Sequence, residues 1–369
     1  MLGRRCPCFP ASIIPVHLHS HHTMTQDLLL PAPELQPNRT RRALLRAGGV
    51  AALSGLGATL ATRQAWSAGP PQKITFAWSQ IAFCLSPVVV AQEKGFFEKN
   101  GLQVELLNWG GSTDQLLEAL ATGKADVGVG LIHRWLKPLE SGFDVKVIGS
   151  AHGGCLRMLG ARDAGVTDWK QLKGKTIGVS DINSPAKNFF AIHLAKRGVD
   201  VEKDVQWRVY PADLLDVAVK KGEVQAIADG DPNLYLIEKR NRGAFAEIGN
   251  NAKGEYQDKI CCITGARGEF VRNNRPAAAA VVRSIIQASE YVAENPNEAA
   301  KLYAKYSPKI PVEDLRALLT DLTYHNHPTG TVLRSEVEYF ARDFHTAGVL
   351  KKSTDPARFA NHVTVDVLA

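Results

Sequence analysis

Helix starts are where this sequence concentrates groups that bind small charged solutes. In Asp181-Ile182-Asn183-Ser184-Pro185-Ala186-Lys187, Ser184 or Asn183 suits the cap of a helix and Pro185 suits its first turn. The N–H groups left free there, with the positive end of the helix dipole, favour a negative group by about 0.3 to 1 kcal/mol, or about 2 when partly buried. One such site holds a solute too weakly, so a second has to converge on it. Gly110-Gly111-Ser112-Thr113 offers the same chemistry at another helix start. Either loop alone is at least as readily an ordinary cap serving its own helix, and two of them facing one space shift the balance to binding. Asp181 is an awkward neighbour for an anion; it either accepts from the amine of a zwitterion or caps the helix itself.

Other side chains fit around that pair. His133-Arg134 follow Val127-Gly128-Val129-Gly130 and either bring positive charge to the same space or form a surface pair on the next helix. Phe83 and Trp135 are assigned to an organic portion of the solute, whereas Trp109 and Tyr235 read as core. In His152-Gly153-Gly154-Cys155 a histidine and a thiol flank two glycines. A metal site or a Cys/His nucleophile needs a second ligand or an orienting acid nearby. The sequence offers neither, so the stretch reads as a glycine-lined solute contact, with no metal, cofactor or catalytic residue expected. His325-Asn326-His327 reads as a polar loop. Of Cys84, Cys155, Cys261 and Cys262, the pair Cys84 and Cys155 fits a disulfide because both lie at strand ends, yet all four are left unpaired.

These residues need a frame that brings distant loops together. From Lys73, short apolar runs alternate with helical patterns: KITFAWS, LQVELLNWG, ADVGVG and VKVIGSAHGG as strands, with helices between them. A second set opens at DWKQLKGK, with TIGVSD, VQWRVY and VQAIADGDP as strands. This βαβα rhythm predicts two α/β lobes, each a mostly parallel sheet flanked by helices. After KICCITGARGEFV the pattern turns helical, with helices over 276–294, 297–306, 312–321 and 335–347 that return to cover the first lobe. The expected organisation is 73–160 for the first part of lobe one, 161–264 for lobe two and 265–369 for the return. The chain then crosses near Ala161 and near Gly265. Ligands of open α/β sheets bind beyond the carboxyl ends of the strands, which nominates six loops: Ser79–Ser86, Gly110–Thr113, Gly130–Trp135, His152–Cys155, Asp181–Pro185 and Asp229–Asn233. From these, Ser79, Gln80, Phe83, Gly110, Gly111, Ser112, Thr113, Gly130, His133, Trp135, Gly153, Gly154, Asp181, Asn183, Ser184 and Asp231 are the candidate solute contacts.

A hydrophobic content of 45% and a charged content of 22% suit a folded core and exclude a disordered chain. The net charge of +7 is concentrated: residues 1–68 hold seven arginines against Asp27 and Glu34, a net +5. The remaining surface mixes both signs, so no nucleic-acid partner is expected. That first segment carries Arg41-Arg42, a weakly apolar Gly/Ala-rich run and Ala65-Trp66-Ser67-Ala68, which reads as a cleaved twin-arginine export signal over 1–68. Its apolar run is too short to span a bilayer, and no cysteine at the cleavage point calls for a lipid anchor. A soluble periplasmic protein follows. The histidines before Met24 read as an overlong start rather than as metal ligands.

SPVVVAQEKGFFEKNGLQVEL, LLEALATGKADVGVG, LKGKTIGVSDINSPAKNFFAIHLAKRGVD and KKGEVQAIADGDP, in that order, resemble the solute-binding proteins of bacterial ABC importers. The branch resembled holds nitrate, alkanesulfonate and taurine binders and their thiamine-pyrimidine relatives. The resemblance implies a two-lobed periplasmic-binding-protein fold of type II with its cleft between the lobes. It also implies a monomer that captures a small anionic or zwitterionic solute and hands it to a membrane permease with its own ATPase. The alternatives are a binder of a pyrimidine or other heterocycle, or an enzyme like the pyrimidine synthases of the family. Those synthases carry a longer cysteine-rich motif and work inside the cell, which weighs against the enzyme.

Overall fold

The computed structural model describes residues 70–109 and 113–369. The expected export signal therefore lies outside the described residues, as do Gly110, Gly111 and Ser112.

The first sheet has the order β2-β1-β3-β10-β4, built from β1 (Gln72–Trp78), β2 (Leu102–Asn108), β3 (Val127–Leu131), β4 (Val145–His152) and β10 (Cys262–Arg267). The second has the order β7-β6-β8-β5-β9, from β5 (Leu156–Ala161), β6 (Thr176–Val179), β7 (Gln206–Val209), β8 (Ala226–Gly230) and β9 (Phe245–Asn250). In each sheet four strands run one way and one runs against them: β10 is antiparallel to β3 and β4, and β5 is antiparallel to β8 and β9. The reversed strands are those that enter each lobe from the other. The chain leaves the first sheet between His152 and Leu156 and returns between Asn250 and Cys262, a few residues before the expected crossings.

Strand patterning follows burial. β3 and β5 are buried along their whole length, as strands covered on both faces must be. Gly128 in β3 is required by close approach, since a Cβ there would lie 2.9 Å from the Ala77 carbonyl oxygen of β1. Between α1 (Ser86–Glu93) and α2 (Phe96–Lys99), Gly95 takes φ +69°, a left-handed turn that suits glycine. It lets Phe97 enter the core against Phe76, ring centroids 5.8 Å apart.

The other lobe-one helices before the crossing are α3 (Thr113–Ala121) and α4 (Ile132–Glu140), and lobe two adds α5 (Pro185–Lys196), α6 (Leu215–Lys220) and α7 (Asn233–Arg240). The C-terminal helices are α8 (Gly268–Asn273), α9 (Arg275–Glu294), α10 (Pro296–Ala304), α11 (Val312–Asp321), α12 (Gly330–Thr346) and α13 (Pro356–Val363). α9 lies on α1, α2 and β4. Its alanine-rich start and Val282 pack so near the sheet that a Cβ on Gly149 would sit 3.3 Å from Val282. α12 starts before the expected residue 335 and packs on both α4 and α5, bridging the two lobes. α13, not anticipated, is capped by Asp355, whose carboxylate accepts from the Arg358 amide at 2.7 Å.

Candidate functional site

The two lobes touch where α4, which follows β3, packs on α5, and the start of α5 is the clearest piece of that interface. Ser184 is its N-cap, its hydroxyl accepting from the Lys187 amide at 3.1 Å, and Pro185 occupies the first turn. Asp181 folds the preceding loop by accepting from the Asn183 amide at 2.8 Å. From the facing lobe, Arg134 of α4 reaches both: its guanidinium lies 2.7 Å from the Asp181 carboxylate and donates to the Asn183 carbonyl at 2.8 Å. Asn188 of α5 donates back to the His133 carbonyl at 3.1 Å. Burial opposes ionisation of Asp181, but the Asn183 amide and Arg134 outweigh it and hold the carboxyl below its ordinary value. The position expected to meet a solute amine is thus taken by Arg134, and the charge expected in the cleft from Arg134 is spent on an interlobe ion pair.

His133 is 1% exposed, its ring boxed by Phe189 of α5 and Phe340 of α12 at 5.1 and 5.0 Å between centroids. Neither ring nitrogen has a hydrogen-bond partner by geometry. Trp135, expected against a solute, is fully buried in the core. It lies over Gly130 and Gly265, where a Cβ would come within 2.3 and 2.5 Å of its ring. Gly130 therefore makes room for an indole rather than for a solute. Phe83 is likewise buried, in a single 3-10 turn over Phe83–Leu85. Ser79 is buried and its hydroxyl has no partner, while Gln80 is held by Asn108, which accepts from its amide at 3.0 Å, and by the Tyr303 hydroxyl on its carbonyl. Gly153 forms a two-way backbone bridge with Thr323, and Gly154 (φ +79°) packs on Ala252. Asp231 accepts from Arg157 at 2.6 Å; burial pushes its carboxyl up to about 6 against the pull of that guanidinium. Arg157 also meets Glu247 at 3.0 Å and, from α11, Asp321 at 3.3 Å. Thr113 opens α3.

A second grouping is of sulfur and imidazole. Cys84 follows β1, His152 ends β4, Cys155 precedes β5 and Cys262 opens β10; all four are buried, with one ligating atom from each within 4.8 Å of the others. Cys261 joins them, its sulfur 3.4 Å from that of Cys155. Asn251 clamps the group from the second crossing: its carbonyl oxygen accepts from the amides of Cys155 and Leu156 at 2.8 and 2.7 Å, and its amide donates to the Cys261 sulfur at 3.4 Å. The Tyr324 hydroxyl donates to the Cys84 carbonyl at 3.1 Å. Hydrogen bonds from Cys155 and Cys262 hold the Cys84 thiol well below its ordinary range, whereas Cys155 is pushed up by its contacts with the other thiols. None of the four forms a disulfide. His152 and Cys155 stand out in sequence, but Cys84 and Cys262 come from far along the chain. The usable signal was that His152, Cys155 and Cys262 fall at strand ends on the two connections between the sheets.

The sequence profile described as NMT1/THI5 like matches residues 83–299. The 4-amino-5-hydroxymethyl-2-methylpyrimidine phosphate synthase of Uromyces fabae is 37% identical over 241 residues, covering 60% of this chain and 67% of that one. Among solved structures, the alkanesulfonate-binding protein SsuA from Xanthomonas axonopodis pv. citri, bound to MOPS, superposes with a TM-score of 0.65 at 19% identity, covering 81% of this chain and all of that one. The periplasmic nitrate-binding protein NrtA from Synechocystis gives 0.64 at 17% identity, covering 80% and 86%. These likenesses show the two-lobed periplasmic-binding-protein fold.

Proposed function

The chain belongs to the NMT1/THI5-like family, and on that premise we propose that it is the solute-capturing component of an ABC importer, exported by its twin-arginine segment and acting as a monomer beside a membrane permease and its ATPase. The solute class is a small anion or zwitterion such as a sulfonate, taurine or nitrate. The observation that carries this reading is that the chain joins two α/β sheets by two crossings and that Arg134, beyond β3 of one, meets Asp181 and Asn183, beyond β6 of the other. That arrangement lets the lobes hinge shut on a solute. The solute is assigned to the buried Ser79 hydroxyl, which has no partner of its own, and to the starts of α3 and α5, the latter capped by Ser184. In this reading Arg134 and Asp181 latch the lobes. Among the described residues no helix is long and apolar enough to cross a membrane, in keeping with a protein that works beside the permease.

A heterocycle binder is the second reading, favoured by the similarity to pyrimidine phosphate synthases; an enzyme of that kind is its extension. A thermal-shift panel separates them. A solute at 100 times its dissociation constant adds about 2.7 kcal/mol to stability, a visible rise in Tm. Taurine, alkanesulfonates or nitrate are expected to give that rise. A rise with aminopyrimidines alone replaces the anion reading with the second one.

A further inference from the structure

We propose that Cys84, His152, Cys155 and Cys262 form a closed, four-coordinate zinc site that staples the two interlobe connections together. Zinc–sulfur bonds of about 2.3 Å in a tetrahedron set neighbouring donor atoms about 3.8 Å apart. The four donor atoms lie within 4.8 Å of one another, so a contraction of at most about 1 Å between side chains is all that ligation requires. The donor set is selective: three sulfurs and one imidazole suit Zn2+, whereas Ca2+, Mg2+ and Mn2+ favour oxygen ligands, of which the group has none.

Two independent features point to the same ligand. Nδ1 of His152 lies 3.3 Å from the Gly153 carbonyl oxygen, while its buried Nε2 has no partner. An imidazole that donates from one nitrogen to a backbone carbonyl presents the lone pair of the other, the contact that orients metal-bound histidine. Cys155 is the one non-glycine among the described residues with a positive φ, +132°. Strain of this kind costs on the order of 1–3 kcal/mol and persists where the surroundings impose it. Here the imposing group is Asn251, whose two backbone hydrogen bonds fix the conformation that brings the Cys155 sulfur to three first-lobe ligands. His152 and Cys155 bracket the first connection and Cys262 ends the second, so one ion anchors both where they meet the first lobe.

Metal content is the test, read on the full chain purified under reducing conditions without chelator and with no solute added, so that it stands or falls independently of the importer reading. The expected result is about one zinc per chain, and on replacement with Co2+, thiolate-to-cobalt charge-transfer absorption with tetrahedral ligand-field bands. Cys84→Ser and His152→Ala are expected to lower zinc affinity about tenfold or more, and Cys261→Ser is expected to keep the metal. Because a buried substitution can unfold the chain, circular dichroism accompanies each variant. The Co2+ titration of the unmutated, metal-stripped protein gives an answer with no variant at all. The proposal is overturned by reduced protein that takes up neither zinc nor cobalt, by iron displacing zinc in competition, by a Cys155–Cys261 disulfide in place of the ion, or by folded Cys84→Ser that binds zinc as tightly as the parent.

Discussion

Arg134 is 7% exposed and spends its guanidinium on Asp181 and on the Asn183 carbonyl. A hydrogen bond to a charged group contributes about 1.5–3 kcal/mol, less where one partner is open to water, and the Asp181 side chain is 40% exposed. Asp181→Asn is therefore expected to cost about 1 kcal/mol by urea unfolding, whereas Arg134→Ala, which also strips the Asn183 carbonyl, costs more. Equal costs would place the energy in the carboxylate alone. Trp135 behaves as a core residue: Trp135→Ala is expected to lose about 3–5 kcal/mol, and Gly130→Ala to lose about 1–3 kcal/mol or more by overpacking the indole. A Gly130→Ala protein of unchanged stability would mean that the ring is free to move. At this scale residue type was readable in advance but direction was not. His133-Arg134 were read as cleft charge or a surface pair and Trp135 as a solute contact, and only the packing of α4 shows Arg134 reaching the loop before α5 while Trp135 turns into the core.

The helix α5 carries its own signals in sequence: of the two caps that sequence offered, Ser184 is the one used, Pro185 starts the helix, and Gly198 (φ +76°) follows its end. Ser184→Ala is expected to cost about 1 kcal/mol. Combined with Thr113→Ala, it should weaken solute binding in calorimetry, and an unchanged affinity would remove both helix starts from the site. The inner face of α5 also sets a pH limit. Burial, then the neighbouring Arg197, depresses His193 to about 4, and burial with His325 does the same for His327. Both are neutral in the folded protein and bind protons more readily when unfolded, so stability present above about pH 6.5 is lost as pH falls towards 4, by about 1.4 kcal/mol per unit for each group. Asp231, raised to about 6 by burial, works in the opposite sense over the same window and offsets about one of the two histidines, so the Tm should drop by the balance and His193→Gln should remove most of that drop. A slope unaltered by the substitution would assign it to other groups.

Across the whole molecule, ion pairs tie the C-terminal helices to the second lobe: Lys239 to Asp314, Lys196 to Asp343 at 2.9 Å and Arg157 to Asp321 at 3.3 Å. With Arg134–Asp181 they link the two lobes, so an Asp181→Asn, Asp343→Asn double variant is expected to show a larger radius of gyration by small-angle scattering at unchanged secondary structure. An identical radius would mean that packing, not charge, joins the lobes. By itself the sequence determined the alternation of strands and helices, the caps and glycine turns that bound them, and the presence of two lobes. Those are local matters of periodicity and backbone preference, repeated twice along the chain. Only the tertiary structure decided which strand is inserted backwards into each sheet, which loop groups pair with each other before any solute reaches them, and that Cys84, His152, Cys155 and Cys262 share one buried volume. Contacts between residues far apart in the chain depend on how the two sheets meet, and no local pattern encodes that.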